Sequence, residues 1–316
     1  MDEFILLLKE YVAQNKKLIE YINNLQRKEK KYYRDNQEIL YVGIVNRTYS
    51  LWETFCKDII FEYYQRIKDK LLERGELVHK LKLNELPGYI VEEGVIFENR
   101  ISYEIKRDFI TYTSKNIGYD ELKNLFSRFD INVEELKANK RIVDYLNENN
   151  YFFGIDDRGK DNLKTAMKNL TDERNKVSHY SSIYDYQDLN IIISWAEFCQ
   201  VLARELTSII IKNVIINMEN NLIRLGNYVK YLNSKHVLCI DVLDGVTADL
   251  NSIIYTKKDD KILNVYKPLS FMVNDKAVDE INEYDNAGIM LEPFVETKTT
   301  ITENDEIYVI IDGNKI

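Results

Sequence analysis

The sequence has few of the residues that interrupt or cross-link a polypeptide. Its 316 residues include only 11 glycines and 3 prolines, which excludes a collagen-like or loop-rich protein. The 3 cysteines, Cys56, Cys199 and Cys239, are widely spaced, odd in number and surrounded by apolar residues. They exclude a disulfide framework and predict buried, reduced thiols. We therefore expect a mainly α-helical, cytoplasmic protein.

Uninterrupted apolar stretches are also lacking. The most apolar window, residues 189–218, contains four charged side chains, each of them costly in a bilayer. Acidic residues at positions 2 and 3 follow Met1, where a secretory signal would have basic ones. We expect no membrane span and no secretory signal.

The excess of acidic residues is confined to one part of the chain. The formal net charge is -9, which argues against nucleic-acid binding if it is spread evenly. Residues 236–316 contain 16 Asp and Glu but 7 Lys and Arg, while residues 1–235 contain 36 of each. The first three quarters of the chain are neutral, so their charge does not exclude contact with nucleic acid.

Apolar residues recur at helical spacing in four long segments, residues 4–26, 37–72, 161–179 and 188–225. They predict a four-helix bundle within a helical domain of residues 1–230. Shorter helices and loops between about 75 and 155 are interpreted as an insertion. Asp156 and Asp157 suit a turn before the third long helix better than a metal site, and we expect no metal or cofactor.

A basic and aromatic run joins the first two long helices. It comprises Arg27, Lys28, Lys30, Lys31 and Arg34 with Tyr32 and Tyr33, and we call residues 27–34 the basic segment. Such a run can contact a phosphate backbone. A solvated helix face or turn is the plainer alternative.

Residues 236–316 change to short apolar runs separated by turn residues. This pattern predicts a small antiparallel β-barrel or sandwich. Segments 284–291 and 302–308 resemble the second-domain β-barrel of translation factors, which would imply recruitment to tRNA or the translation machinery. The acidity of this domain argues against direct phosphate binding. It favours contact with a basic protein partner, screening of a nucleic-acid site, or solubility.

His179 is the histidine with the most chemical context. It follows Arg174 by five positions near the end of the third long helix, with Asn175 between them. His79 and His236 are interpreted as structural or exposed residues. On an ideal helix Arg174 and His179 point about 140° apart. For both to meet one phosphate, the helix must loosen near Ser178.

These three residue types suit RNA cleavage. A histidine can act as general base or acid near neutral pH. An arginine can hold two phosphate oxygens as charge accumulates on them, and the adjacent asparagine can orient either group. Lys176 and Tyr180 are candidate supporting or substrate-contacting residues.

The segment ERNKVSHY, from Glu173 to Tyr180, resembles the signature of the HEPN superfamily of ribonucleases and nucleotide-binding helical domains. Residues 49–59, which include Trp52 and Glu53, resemble the early aromatic-Glu-aromatic helix of its RiboL-PSP branch and the MAE-type relatives. GYDELKNLFSRFDI, residues 118–131, resembles the helical insert of that branch. The resemblance covers roughly residues 35–225.

The resemblance implies a metal-independent endoribonuclease of the toxin or phage-defence type that acts as a homodimer on RNA, tRNA being one candidate. For a toxin, an antitoxin or another protein is the candidate partner of the acidic C-terminal domain. It assigns Arg174 and His179 to the catalytic pair, Asn175 to the polar residue after the arginine, and Glu53 to a polar position facing the site. For Glu53, an ion pair with Lys57 is the alternative. For the whole chain, the alternatives are an inactive HEPN module that binds a nucleotide or partner, and an adaptor of the translation apparatus.

Overall fold

The computed structural model describes residues 1–74, 95–97, 103–155, 161–179, 183–217, 222–259, 261–283, 285–294 and 300–310. The chain divides into two compact units, Met1–Ile210 and Ile211–Ile316. The predictions for His79, Tyr180, Asp156 and Asp157 fall outside the described residues.

The first unit is helical. Its helices are α1 (Asp2–Arg27), α2 (Lys30–Asp35), α3 (Gln37–Arg74), α4 (Arg107–Thr111), α5 (Tyr119–Ser127), α6 (Glu135–Ala138), α7 (Lys140–Glu148), α8 (Asn150–Phe153), α9 (Asn162–His179) and α10 (Leu189–Asn217), the last of which continues into the second unit. The four long segments predicted from apolar periodicity correspond to α1, α3, α9 and α10. The mainly helical prediction for this part of the chain is confirmed.

Periodic burial explains why these four helices pack together. In α1 the buried residues recur every three or four positions, as in Phe4, Leu8 and Tyr11, so one stripe faces the core. Asn15 lies on the same stripe and donates its Nδ2 to the carbonyl of Ala196 in α10 at 2.7 Å. In the described part of the chain, no helix is both long and apolar enough to cross a membrane.

The insertion between α3 and α9 is partly helical, as expected. It also contains an antiparallel hairpin, β1 (Val95–Phe97) with β2 (Tyr103–Ile105), that the sequence analysis missed. Each strand has three residues, which is too short for an alternating pattern to be recognised. The short helices α4 to α8 follow the hairpin.

The second unit is a closed antiparallel barrel. Its strands are β3 (Leu222–Leu232), β4 (Val237–Val242), β5 (Ala248–Asp249), β6 (Ile253–Lys258), β7 (Lys261–Val273), β8 (Lys276–Val278), β9 (Glu280–Ile281), β10 (Asn286–Pro293) and β11 (Glu306–Ile310). Six strands form the ring in the order β10, β4, β3, β11, β6, β7, and β10 pairs again with β7 to close it. Of the two architectures left open, the barrel is the observed one.

The barrel begins earlier than the sequence analysis expected. The sequence pattern predicts a last helix that ends at about Leu225, a helical domain that ends at residue 230 and a β-rich domain that starts at 236. In the structure α10 ends at Asn217 and β3 starts at Leu222. In β3, Arg224 is exposed and the adjacent Leu225 is buried, the alternation of a strand with one face in the core. The sequence does mark this boundary, because the polar residues Glu219, Asn220 and Asn221 separate the two apolar segments.

The cysteines largely follow expectation. All three are free; Cys56 and Cys199 are buried in the helical unit, whereas Cys239 in β4 is only partly buried. Burial raises the pKa of the Cys199 thiol to about 12. The two buried thiols therefore act as small apolar core residues.

Candidate active site

The motif predicted from sequence lies on the last turns of α9. One face of this helix is buried through residues that include Leu170, Glu173 and Val177. Asn175, Ser178 and His179 are exposed, and Arg174 is partly buried. The end of α9 therefore presents polar, chemically capable side chains to solvent while its other face anchors it in the core.

The helix does not loosen at Ser178, contrary to the sequence-based expectation. It continues to His179, because Val177 remains packed in the core and holds the last turn in register. Five residues of regular helix rotate the side-chain direction by about 140°. Arg174 and His179 of one chain consequently point to different sides of α9.

Arg174 lies against α3. Its guanidinium carbon is 5.3 Å from the centre of the Tyr49 ring, a distance typical of a cation–π contact. Its Nη1 is 3.5 Å from Oδ1 of Asn175. The ring and the amide together restrict where the guanidinium can go.

Asn175 connects Arg174 to the insertion. Its Oδ1 also accepts a hydrogen bond from Nδ2 of Asn116 at 2.5 Å. The next residue, Ile117, donates its backbone N–H to the Tyr49 hydroxyl at 2.6 Å, and its carbonyl accepts from Trp52 Nε1 at 3.1 Å. Tyr49 and Trp52 therefore fix the segment that delivers Asn116 to the site.

Glu53 forms the ion pair that the sequence analysis gave as the alternative. Its carboxylate is 2.7 Å from Lys57 Nζ, one helical turn away. Burial raises the pKa of the Tyr49 hydroxyl well above its ordinary value, and the charge of Glu53 raises it further, whereas Arg174 lowers it. Glu53 thus acts on the Tyr49 side of the site, beside the ring that supports Arg174.

His179 opens into a pocket on the other side of α9. The pocket has a volume of about 600 Å³ and is lined by Asp172, Asn175, Lys176, His179, Ile183, Tyr184 and Asp185. Tyr184 is 91% exposed, so its ring is available for stacking. Asn175 contacts both the Arg174 side and this pocket.

Lys176 holds the pocket wall. Its ammonium donates to the backbone carbonyl of Asp185 and lies 3.3 Å from Oε1 of Glu173, which is buried. That same carboxylate oxygen accepts from the Tyr41 hydroxyl at 2.7 Å, and this hydroxyl in turn accepts from the backbone N–H of Gln187 at 3.1 Å. Lys176 and Tyr41 therefore fasten the 183–188 loop to α9 and α3.

Sequence reasoning missed three residues of the site. Asn46 of α3 accepts a hydrogen bond from the Ser178 hydroxyl at 3.2 Å, Asn116 holds Asn175, and Asp172 lines the pocket. None had a signal of its own, because each is an ordinary polar residue far from the motif or one helical turn before it. Over the described residues, no group of three or more His, Cys, Asp and Glu side chains is placed to hold a metal ion.

Comparison with known protein families shows which family this chain belongs to. The model of the RiboL-PSP-HEPN family matches residues 9–212. The chain belongs to the RiboL-PSP-HEPN family. The match confirms the superfamily and branch resemblance, and it ends before the barrel.

Family membership sets a coarse function. HEPN domains are often ribonucleases, so a RiboL-PSP-HEPN domain indicates a nuclease or another RNA-related module. A search of curated proteins returned no match. A more specific function for this chain therefore has to be inferred from the chemistry of the residues around His179.

Proposed function

We propose that this RiboL-PSP-HEPN protein is a metal-independent endoribonuclease of the toxin or phage-defence type that acts as a homodimer. The 2'-oxygen of one nucleotide attacks the adjacent phosphorus while a base takes its proton. The bond from phosphorus to the 5'-oxygen breaks, and an acid protonates that oxygen. The products are a 2',3'-cyclic phosphate and a 5'-hydroxyl.

His179 exchanges these protons, Arg174 neutralises the charge on the phosphate, and Asn175 orients the arginine. A general acid or base contributes roughly 10²- to 10⁴-fold to a rate, and cationic donors aimed at developing charge contribute a comparable factor. The observation that carries the proposal is the exposure of His179 in a pocket while Arg174 is held by Tyr49 and Asn175.

The direction of the two side chains is the reason for a dimer. Because α9 is regular to His179, Arg174 and His179 of one chain point about 140° apart. A two-fold axis beside the end of α9 brings two copies of the motif together. One His179 then acts as the base and the other as the acid.

The first experiment is RNA cleavage by the purified chain in EDTA. We expect a 2',3'-cyclic phosphate product and a loss of at least about 100-fold in His179→Ala and in Arg174→Ala. His236→Ala and Arg66→Ala are matched controls, since His236 is exposed on the barrel and Arg66 forms ion pairs with Glu3 and Glu62. Cleavage that EDTA abolishes, or full activity in His179→Ala, contradicts the mechanism.

A co-expression experiment tests the dimer separately. If each active unit needs both His179 side chains, equal amounts of wild-type and His179→Ala chains that pair at random retain about a quarter of the wild-type activity. Independent chains retain about half. A nucleotide or RNA that raises the melting temperature without any cleavage product supports an inactive binding module instead.

A further inference from the structure

The basic segment is an exposed cationic surface of the helical unit. Residues 27–34 include the end of α1 and most of α2. All five of its basic side chains are exposed, and Tyr32 is 54% exposed. Among the residues that the structure describes, none of the five has an ion-pair partner.

Two anchors place this segment beside the His179 pocket. Just before it, Gln26 Nε2 donates to Oδ1 of Asn190 in the first turn of α10 at 3.3 Å. Just after it, Glu38 accepts from the backbone N–H of Ile183 at 3.1 Å. Both anchors are on the 183–190 stretch, whose first residues form the pocket wall.

The pocket itself supplies little positive charge. Asp172 and Asp185 line it, and the ammonium of Lys176 is already engaged by Glu173 and Asp185. A polyanion is therefore not held by the pocket alone. Within the described residues, the two anchors bring the cations of the basic segment, which have no ion-pair partner there, to the stretch that forms the pocket wall.

We propose that the basic segment, Tyr32 and Tyr184 form a binding surface for single-stranded RNA that leads into the His179 pocket. The inference rests on the proposed ribonuclease function and adds how the substrate is held. Lysine and arginine side chains neutralise phosphates, and the exposed tyrosine rings stack on unpaired bases. This binding surface lies in residues 1–235, which have no net charge, and is separate in sequence from the acidic residues of 236–316.

The test measures RNA affinity with cleavage removed. In the His179→Ala background, the triple variant Lys28→Ala, Lys30→Ala, Lys31→Ala is compared with Lys9→Ala, Lys16→Ala, Lys17→Ala. Each set removes three exposed lysines, so the change in net charge is the same. Lys28 follows the end of α1 and Lys30 and Lys31 begin α2, whereas the three control lysines lie on α1. Fluorescence polarisation with a labelled single-stranded oligoribonucleotide gives Kd at several salt concentrations.

We expect the first triple variant alone to bind about 10- to 100-fold more weakly near 0.1 M salt. The slope of log Kd against log salt should fall by about 2, since each lost phosphate contact contributes roughly 0.7 on a single strand. In the active background KM should rise while kcat stays within about twofold. Equal losses in both triple variants, or no loss in either, overturn the inference.

A second pair of variants tests whether the Tyr32 ring contributes to RNA binding. Tyr32→Ala should weaken RNA binding about fivefold or more. Tyr21→Ala, which removes an exposed tyrosine of α1, should leave RNA binding unchanged. Duplex RNA should bind more weakly than the single strand. Equal binding of duplex and single strand contradicts the stacking part of the proposal.

The outcomes separate the two hypotheses. If the wild type cuts RNA and the first triple variant has unchanged KM, the RNA surface is wrong and the ribonuclease proposal stands. If the wild type neither cuts nor binds RNA, both fail. If the triple variant loses self-association but keeps its RNA affinity, the segment is a protein contact and the RNA inference is overturned.

Discussion

Asn116 of the insertion donates a 2.5 Å hydrogen bond to Asn175 of α9, a residue 59 positions further along the chain. The insertion is thereby part of the candidate active site. The bond links the backbone anchored by Tyr49 and Trp52 to the amide that contacts Arg174. Asn116 is thus a positioning residue, which acts on the arginine through Asn175.

Replacing Asn116 with alanine should slow RNA cleavage more than it weakens substrate binding. A net hydrogen bond contributes about 0.5–1.5 kcal/mol, so kcat should fall roughly 2- to 12-fold while KM changes little. Single-turnover and steady-state kinetics on the same RNA measure the two effects. The matched control is Asn124→Ala. Asn124 is an exposed asparagine of the same insertion and lies on α5. A rise in KM with unchanged kcat would place Asn116 in substrate binding instead.

Two substitutions at Tyr49 separate the role of its hydroxyl from that of its ring. Tyr49→Phe removes the acceptor for the buried N–H of Ile117 and should lower the free energy of unfolding by about 1–3 kcal/mol. It keeps the aromatic face under Arg174, so most cleavage activity should remain in the folded protein. Tyr49→Leu also removes the cation–π contact and should reduce kcat further.

Chemical denaturation and cleavage rates at saturating RNA distinguish these effects. If Tyr49→Phe and Tyr49→Leu have equal kcat, the ring does not position Arg174. If Tyr49→Phe unfolds at the same denaturant concentration as the wild type, the hydroxyl is not needed to satisfy Ile117.

The sequence predicted the long helices because their burial is periodic, and it predicted the α9 motif because Arg174, Asn175 and His179 are close in the chain. It did not predict the contacts that complete the site. Asn116 reaches Asn175 through an insertion whose path depends on Tyr49 and Trp52 bonding to Ile117. Such a contact is set by tertiary packing and has no local pattern.

The start of the barrel was missed for a different reason. Leu222, Ile223 and Leu225 are apolar residues that suit a helix as well as a strand, so extending the last helix to Leu225 passes over the polar residues 219–221 that precede them. Only the pairing of β3 with β4 and β11 selects the extended conformation. Gly226 is one residue whose lack of a side chain this pairing requires.

Gly226→Ala should destabilise the barrel. A Cβ at this position would lie 2.6 Å from the carbonyl oxygen of Asp241 on β4, so the two strands would have to separate. Overpacking of this kind typically costs about 1–3 kcal/mol. Gly288→Ala is the control, because its Cβ would be 3.8 Å from the nearest atom, a side-chain carbon of Val237. Thermal unfolding of the full chain should show a lower transition for the first variant alone, and equal transitions would contradict the close approach.

The final prediction concerns Lys176, for which sequence and structure suggest different roles. As a substrate contact, its loss would raise KM and leave stability unchanged. As the partner of buried Glu173 and of the Asp185 carbonyl, its loss leaves a carboxylate short of a cation and frees the 183–188 loop. We therefore expect Lys176→Met to lower the free energy of unfolding by about 1–3 kcal/mol.

Lys168→Met is the matched control on the same helix. Lys168 pairs with Asp172 one turn away, and both side chains are exposed, so this variant should change stability by no more than about 0.5 kcal/mol. Urea titration of both variants measures the difference. Because Tyr41 still donates to Glu173, the Lys176 variant should remain folded, and its cleavage rate then reports how far the pocket depends on the loop. If Lys176→Met is as stable as Lys168→Met and has a raised KM, Lys176 contacts the substrate and does not stabilise the loop.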